Sequence, residues 1–229
     1  KVALRWQPLD EQVTFRASYS QSFIAPTTYE LFGGAVQSNP VLVDGDGNVA
    51  QETVAFISTP TLNAQTSENY GGGVVISPKA IKGLTVSVDY YHIRVSDGIF
   101  LLDSQSIVDD LNANGSGSQY APLYTFSNGS KLTSTAPNQV VDVTWGQLDT
   151  PYANGSKTET EGLDFTATYQ KPTESLGTFT VYVNANLTLD YLYSDPVVGG
   201  PYHYEGQFTD LQVVGGAQGT LPEYSITTG

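Results

Sequence analysis

From Phe179 to Tyr193 every odd position is apolar or aromatic: Phe179, Val181, Val183, Ala185, Leu187, Leu189, Tyr191 and Tyr193. The even positions Thr180, Tyr182, Asn184, Asn186, Thr188 and Asp190 all carry a polar group, and only Leu192 breaks the series. A strand has period two, so this segment predicts a ribbon with one apolar and one polar face. It is about three times as long as the usual strand of roughly 5–6 residues, and that length restricts the architectures it can serve.

The pattern recurs along the chain. Val13, Phe15, Ala17 and Tyr19 share one face against Thr14, Arg16 and Ser18, and the segments Leu84–Tyr90 and Leu163–Tyr169 alternate in the same way. Val2, Leu4 and Trp6 mark a partial strand. Tyr70–Ile76 is a weaker one, softened by Gly71, Gly72 and Gly73, and Leu221–Thr227 reads as a seventh just beginning. Helical periodicity is confined to Ser106–Leu111, where Ile107, Val108 and Leu111 give one short turn.

The connections alternate in length. Short ones rich in Pro and Gly, the residues that preset or permit turn dihedrals, are expected near 8–12, 77–83 and 170–177. Long ones are expected near 24–66, 97–157 and 195–221, well beyond the 12–15 residues or so that compact domains usually allow without a function for the loop. An up-and-down meander of about six or seven strands therefore places its short turns at one end and its long loops at the other.

Two solvents can meet the apolar face. In a soluble or cell-surface β-sandwich, such as a carbohydrate-binding module, that face packs on a second sheet. In a transmembrane barrel it meets lipid, while the polar face lines the lumen. Segment 179–193 exceeds the roughly 9–11 residues a tilted strand needs to cross the hydrocarbon, and 13–23 and 84–95 match it. Trp6, Tyr19, Phe23, Tyr90, Tyr169, Tyr191 and Tyr193 lie near strand ends, as interfacial girdles require. Composition agrees. Charged residues make up 14% of the chain, against about 25% for soluble domains, so part of the surface is expected not to face water.

Charge and residue type exclude other classes. The net charge of −14 repels phosphate, so nucleic acid is not an expected partner. No run approaches the length of a membrane-spanning helix. The absence of cysteine removes disulfides, thiol nucleophiles and thiolate metal sites. The chain starts at Lys1 and has no methionine, so it is expected to be a piece of a longer protein, with any secretory leader outside it.

The run from Val13 through Arg16-Ala17 and Phe23-Ile24-Ala25-Pro26 to Glu30-Leu31-Phe32-Gly33 resembles the strand-and-loop signature of TonB-dependent outer-membrane receptors. Thr66-Ser67-Glu68-Asn69-Tyr70 is similar to that family's opening of a later strand. So are Leu84–Ile99 with Asp89-Tyr90-Tyr91, Asn154-Gly155 followed by Glu161-Gly162-Leu163-Asp164-Phe165, and Leu221-Pro222-Glu223-Tyr224 for the strands after it. The resemblance spans the chain in family order. It implies an all-β, antiparallel meander forming part of a roughly 22-stranded transmembrane β-barrel. It also implies a plug domain, an energy-coupling TonB complex and uptake of a scarce nutrient such as a siderophore, vitamin or oligosaccharide. Plug, TonB box and closing strand are not expected within these residues, so an internal barrel fragment of the bacterial outer membrane is expected. A passive porin-like channel is the nearest rival.

Candidate residues follow from this division. In the long loops, Tyr120, Tyr124, Trp145, Tyr152, Tyr202, His203 and Tyr204 are candidates for gripping a small molecule or oligosaccharide, because aromatic faces stack on sugars and apolar groups. On the polar face, Arg16, Asp89, Asp164, Asn184, Asn186 and Asp190 are expected to face the lumen and plug. Asp44-Gly45-Asp46-Gly47-Asn48 spaces oxygens as a calcium loop does, but the EF-hand positions for Gly and Glu hold Val49 and Ala55, so a hairpin turn is expected. His92 and His203 are the only histidines; His92 is expected near a strand's outer half, and no metal or cofactor site is expected. Glu159 and Glu161 read as loop acids, and no catalytic constellation is present, so an enzyme is not expected.

Overall fold

The computed structural model describes residues 1–45, 47–133, 146–197, 199–206 and 221–229. In chain order the elements are β1 (Val2–Trp6), β2 (Val13–Ile24), α1 (Thr28–Phe32), β3 (Ala35–Ser38), β4 (Val41–Val43), β5 (Val49–Gln51), β6 (Val54–Ile57), β7 (Gln65–Ile76) and β8 (Leu84–Leu101). Then come α2 (Ser104–Asn114), β9 (Tyr124–Thr125), β10 (Gln147–Thr173), β11 (Gly177–Asp195), β12 (Gly199–His203) and β13 (Tyr224–Thr228).

The long strands form one antiparallel wall in the order β1-β2-β7-β8-β10-β11, with β12 and β13 both on the far edge of β11. This is the meander expected from the alternation, laid out as an open sheet. Several strands run past the expected bounds: β8 has 18 residues, β10 has 27 and β11 has 19. The third short turn shrinks to residues 174–176, closed where Leu176 N–H donates to Thr173 Oγ1 at 3.1 Å.

Cross-strand partners share a face, so the register sorts the wall. Trp6–Phe15–Val74–Val88–Phe165–Ala185–Ile226 form one apolar row, with the Trp6 and Phe15 rings stacked at 5.5 Å. This face stays exposed: Phe179 is 55% accessible, Val181 57% and Ile226 63%. From Phe179 to Leu189 it rises about 33 Å along the strand, or about 25 Å at the usual barrel tilt, which is the height of a lipid-facing band. At the long-loop end it gives way to polar residues, in the rows Tyr19–Tyr70–His92–Glu161 and Gln21–Glu68–Arg94–Glu159.

A β-bulge interrupts β11. Gly162 pairs with Thr188 but Glu161 pairs with Asp190, so Leu189 is the extra residue. An odd insertion moves every later side chain to the other face. Tyr191 and Tyr193, expected in the lipid-facing girdle, consequently pair with Thr160 and Thr158 on the polar face. Asp190, expected to face the lumen, joins Glu161 and His92 on the outward face.

The long connections build a cap with its own core. β6 pairs in parallel with Leu148–Pro151 of β10 and antiparallel with β3, while β9 pairs with the start of β10. The turn expected at 106–111 is an eleven-residue helix, α2, started by Asp103, whose side chain accepts from Ser106 N–H at 2.7 Å. Its Ile107, Val108 and Leu111 pack with Leu42, Val54, Leu102, Ala121, Tyr124, Leu132 and Leu148. The short α1 was not foreseen. A capping box starts it, with Glu30 N–H donating to Thr27 Oγ1 at 3.2 Å and Thr27 N–H donating to Glu30 Oε2 at 2.6 Å.

Candidate functional site

On the polar face one row crosses the wall: Arg5–Arg16–Gly73–Asp89–Asp164–Asn186–Ser225. Arg16 clamps Asp89 with two hydrogen bonds, Nε to Oδ1 at 2.6 Å and Nη2 to Oδ2. The intervening strand permits this because Gly73 sits between them. A Cβ there would lie 2.0 Å from Asp89 Oδ1. Farther along, Asn186 Nδ2 donates to Asp164 Oδ1 at 2.8 Å and to the Tyr91 hydroxyl at 3.2 Å. Tyr91 reaches across Gly162, where a Cβ would meet its hydroxyl at 2.4 Å. Glycine at both positions thus lets long side chains from flanking strands tie three strands together above the sheet.

Arg16, Asp89, Asp164, Asn184 and Asn186, which strand alternation assigns to the polar face, all lie on it in the register. Alternation alone does not single out Gly73, Gly162 and Tyr91. The signal lay in glycines at polar-face positions, where a side chain is dispensable only if a neighbour crosses the gap. Beside the row, Lys1, Arg5, Arg16, Ser18, Asp89 and Tyr91 line an open hollow of about 630 Å³. This surface can hold a polar protein layer or water through fixed charges, basic at Arg5 and Arg16 and acidic at Asp89 and Asp164.

The loop candidates separate. Tyr124 is fully buried and meets Phe126 edge-on at 4.9 Å, so its ring serves the cap core. Tyr120 packs against that core. Burial, reinforced by Asp110 and Asp195, pushes its phenol above the ordinary tyrosine range. Tyr152 meets Tyr29 edge-on at 6.5 Å, and burial raises its phenol likewise. Tyr202 and Tyr204 lie 6.3 Å apart, and because Tyr202 pairs with Tyr193 they share the polar face with Tyr191 and Tyr193. His203 alternates to the outward face. Trp145 lies outside the described residues.

The outward rim is ordered too. Glu159, expected in a loop, is a strand residue that accepts from Arg94 at 3.0 and 2.9 Å and lies 2.7 Å from His92 Nε2. Glu161 accepts from the Tyr90 hydroxyl at 2.5 Å. Where the sequence expects a hairpin turn, β4 and β5 pair antiparallel, and Asp44 carboxylate oxygens accept from the Asn48 backbone at 2.7 Å and its side chain at 2.8 Å, while Asp46 lies outside the described residues.

A family model described as "TonB dependent receptor-like, beta-barrel" matches residues 1–228. No curated protein matches the sequence. Among solved structures, the siderophore receptor PirA from Acinetobacter baumannii superposes with a TM-score of 0.57 at 14% identity, covering 99% of this chain and 25% of that one. A mutant of the ferric enterobactin receptor PfeA from Pseudomonas aeruginosa gives 0.52 at 16% identity over 82% of this chain and 21% of its own. Another PfeA mutant, in complex with enterobactin, gives 0.50 at 18% identity over 85% and 24%. At these identities the likeness is one of fold, and the chain spans about a quarter or less of each receptor's length.

Proposed function

Because the chain belongs to the TonB-dependent receptor β-barrel family, we propose that it supplies wall and external cap to an outer-membrane receptor that takes up a scarce nutrient, such as a siderophore, vitamin or oligosaccharide, with energy from a TonB complex. Members of this family are receptors and transporters of the bacterial outer membrane and not enzymes. The observation that carries the reading is the segregation of the wall. Its apolar side chains share one exposed face about one bilayer core tall, while the polar face carries the Arg16–Asp89 and Asp164–Asn186–Tyr91 ties.

In this reading the lipid bilayer covers the first face, and the protein's own plug, supplied by the rest of the chain, sits on the second. The tied row presents fixed charges to the plug, so docking costs little side-chain ordering. Tyr191, Tyr193, Tyr202 and Tyr204 stand above it at the long-loop end. There their rings offer a stacking surface to an entering ligand. The full-length protein reconstituted in planar bilayers tests the proposal. A plugged receptor shows no steady ionic conductance until the plug is deleted. Steady conductance of the native protein would make it a passive pore.

A further inference from the structure

The bulge in β11 has a chemical consequence on the outward face. By turning Asp190 outward it sets that carboxylate beside His203 at the end of β12 and Glu205 just beyond. His203 Nδ1 lies 2.8 Å from Asp190 Oδ1 and 3.8 Å from Glu205 Oε1, and one ligand atom from each residue falls within 4.8 Å of the other two. We propose that Asp190, His203 and Glu205 form a binding site for a borderline divalent cation of the Zn²⁺ class.

The donor set argues for that class. One imidazole nitrogen with two carboxylate oxygens suits zinc and its first-row neighbours, whereas magnesium and calcium prefer oxygen alone. Donors about 2.0–2.2 Å from a tetrahedral zinc stand about 3.3–3.6 Å apart. The Asp190–His203 separation must open by about half an ångström from 2.8 Å, and the Glu205–His203 separation must close slightly from 3.8 Å, both within the reach of surface side chains. One Nδ1 already addresses both carboxylates, so a single ring orientation serves the cation. Three protein ligands leave a fourth position for water or an anion.

Local charge points the same way. The outward rim carries Glu68, Glu159, Glu161, Asp190 and Glu205 against Arg94 and Lys157, and Arg94 is held by Glu159. A cation at this site would also be a staple. It joins β11 to the end of β12 and to Glu205 just beyond it, next to the point where Gly206 N–H donates to Leu221 O at 2.9 Å. These three side chains make the site whether or not the chain transports a nutrient.

The test uses the full-length protein in detergent, with Co²⁺ as a visible probe and Zn²⁺ as competitor. The expected result is a visible absorption band that saturates at one Co²⁺ per protein, is displaced by Zn²⁺, and weakens in apparent affinity at least tenfold in His203→Ala and in Asp190→Asn. Heat-modified migration on a gel confirms that each variant is folded, and Asn184→Ala on the opposite face serves as the unaffected control. Equal Co²⁺ binding by native protein and both variants, or no band in the native protein, overturns the proposal.

Discussion

The wall and the cap are built from one chain under opposite rules. In the cap, Ile107, Val108, Leu111, Val54, Tyr124 and Leu148 are fully buried, as in any water-soluble core. In the wall, side chains of the same chemistry are among the most exposed in the molecule: Val2 at 70%, Leu4 at 67% and Phe179 at 55%. β10 passes through both regimes, with Leu148 wholly enclosed at its start and Phe165 at 37% exposure in its wall portion. The hydrophobic effect organises the cap through contacts within the chain. In the wall it acts through the surrounding solvent, so the wall's apolar residues select a bilayer.

That contrast breaks first in the wall. Val183→Lys with Leu187→Lys places two cations on the lipid-facing side, at about 2–4 kcal/mol each near the midplane. Assembly of the full-length protein into the outer membrane, followed by heat-modified gel migration, is expected to fail. Asn184→Lys with Asn186→Lys, on the lumen side of the same strand, is expected to assemble. Equal tolerance of both pairs would mean that the apolar face does not meet lipid. In the cap, Leu111→Ala removes a fully enclosed side chain and is expected to cost about 2–5 kcal/mol of local stability. The measurable outcome is faster proteolysis of the 102–133 region in intact cells while the barrel still assembles.

Legibility in the sequence follows the same divide. Strand alternation in 13–19, 84–90, 163–169 and 179–189 gave the wall its faces, because period two survives wherever one side must be apolar. It failed past Leu189: the bulge leaves no mark in an alternation that continues through Tyr191 and Tyr193, and only pairing with β10 reveals that these rings turn inward and His203 outward. The polar row was readable residue by residue, except for Gly73, Gly162 and Tyr91, whose roles depend on which strands are neighbours. Cap structure was the least legible. β3, β6 and β9 are two to four residues long and owe their existence to partners up to about a hundred positions away. Local signals were nonetheless present in the Thr27/Glu30 capping box and the Asp103 N-cap.

The wall's polar side offers a finer comparison, between a row fixed by side chains and a face held by lipid. Gly73→Ala forces a methyl group into the Asp89 carboxylate and to 2.6 Å from Val88 O. It is expected to part Arg16 from Asp89 and cost about 1–3 kcal/mol, in the range of other overpacked sites. The readout is the urea midpoint of the full-length protein in lipid. Arg16→Gln in the Gly73→Ala background should add little, since the clamp is already open.

The smallest effect belongs to the cap helix. Asp103 stands in extended geometry before α2 and satisfies one of the helix's unpaired N–H groups, at Ser106. As the N-cap residue, it also sets its negative charge at the positive end of the helix dipole, where the first turn of α2 carries no acidic residue of its own. Asp103→Ala removes both contributions and is expected to cost about 1 kcal/mol, whereas Asp103→Ser keeps the acceptor and loses only the charge contribution of a few tenths. Hydrogen exchange of the Ser106 and Ile107 amides, compared with that of β11 amides, reads the difference directly. Exchange should quicken about fivefold in the cap and stay unchanged in the wall. Equal acceleration in β11 would mean that cap and wall unfold as one unit.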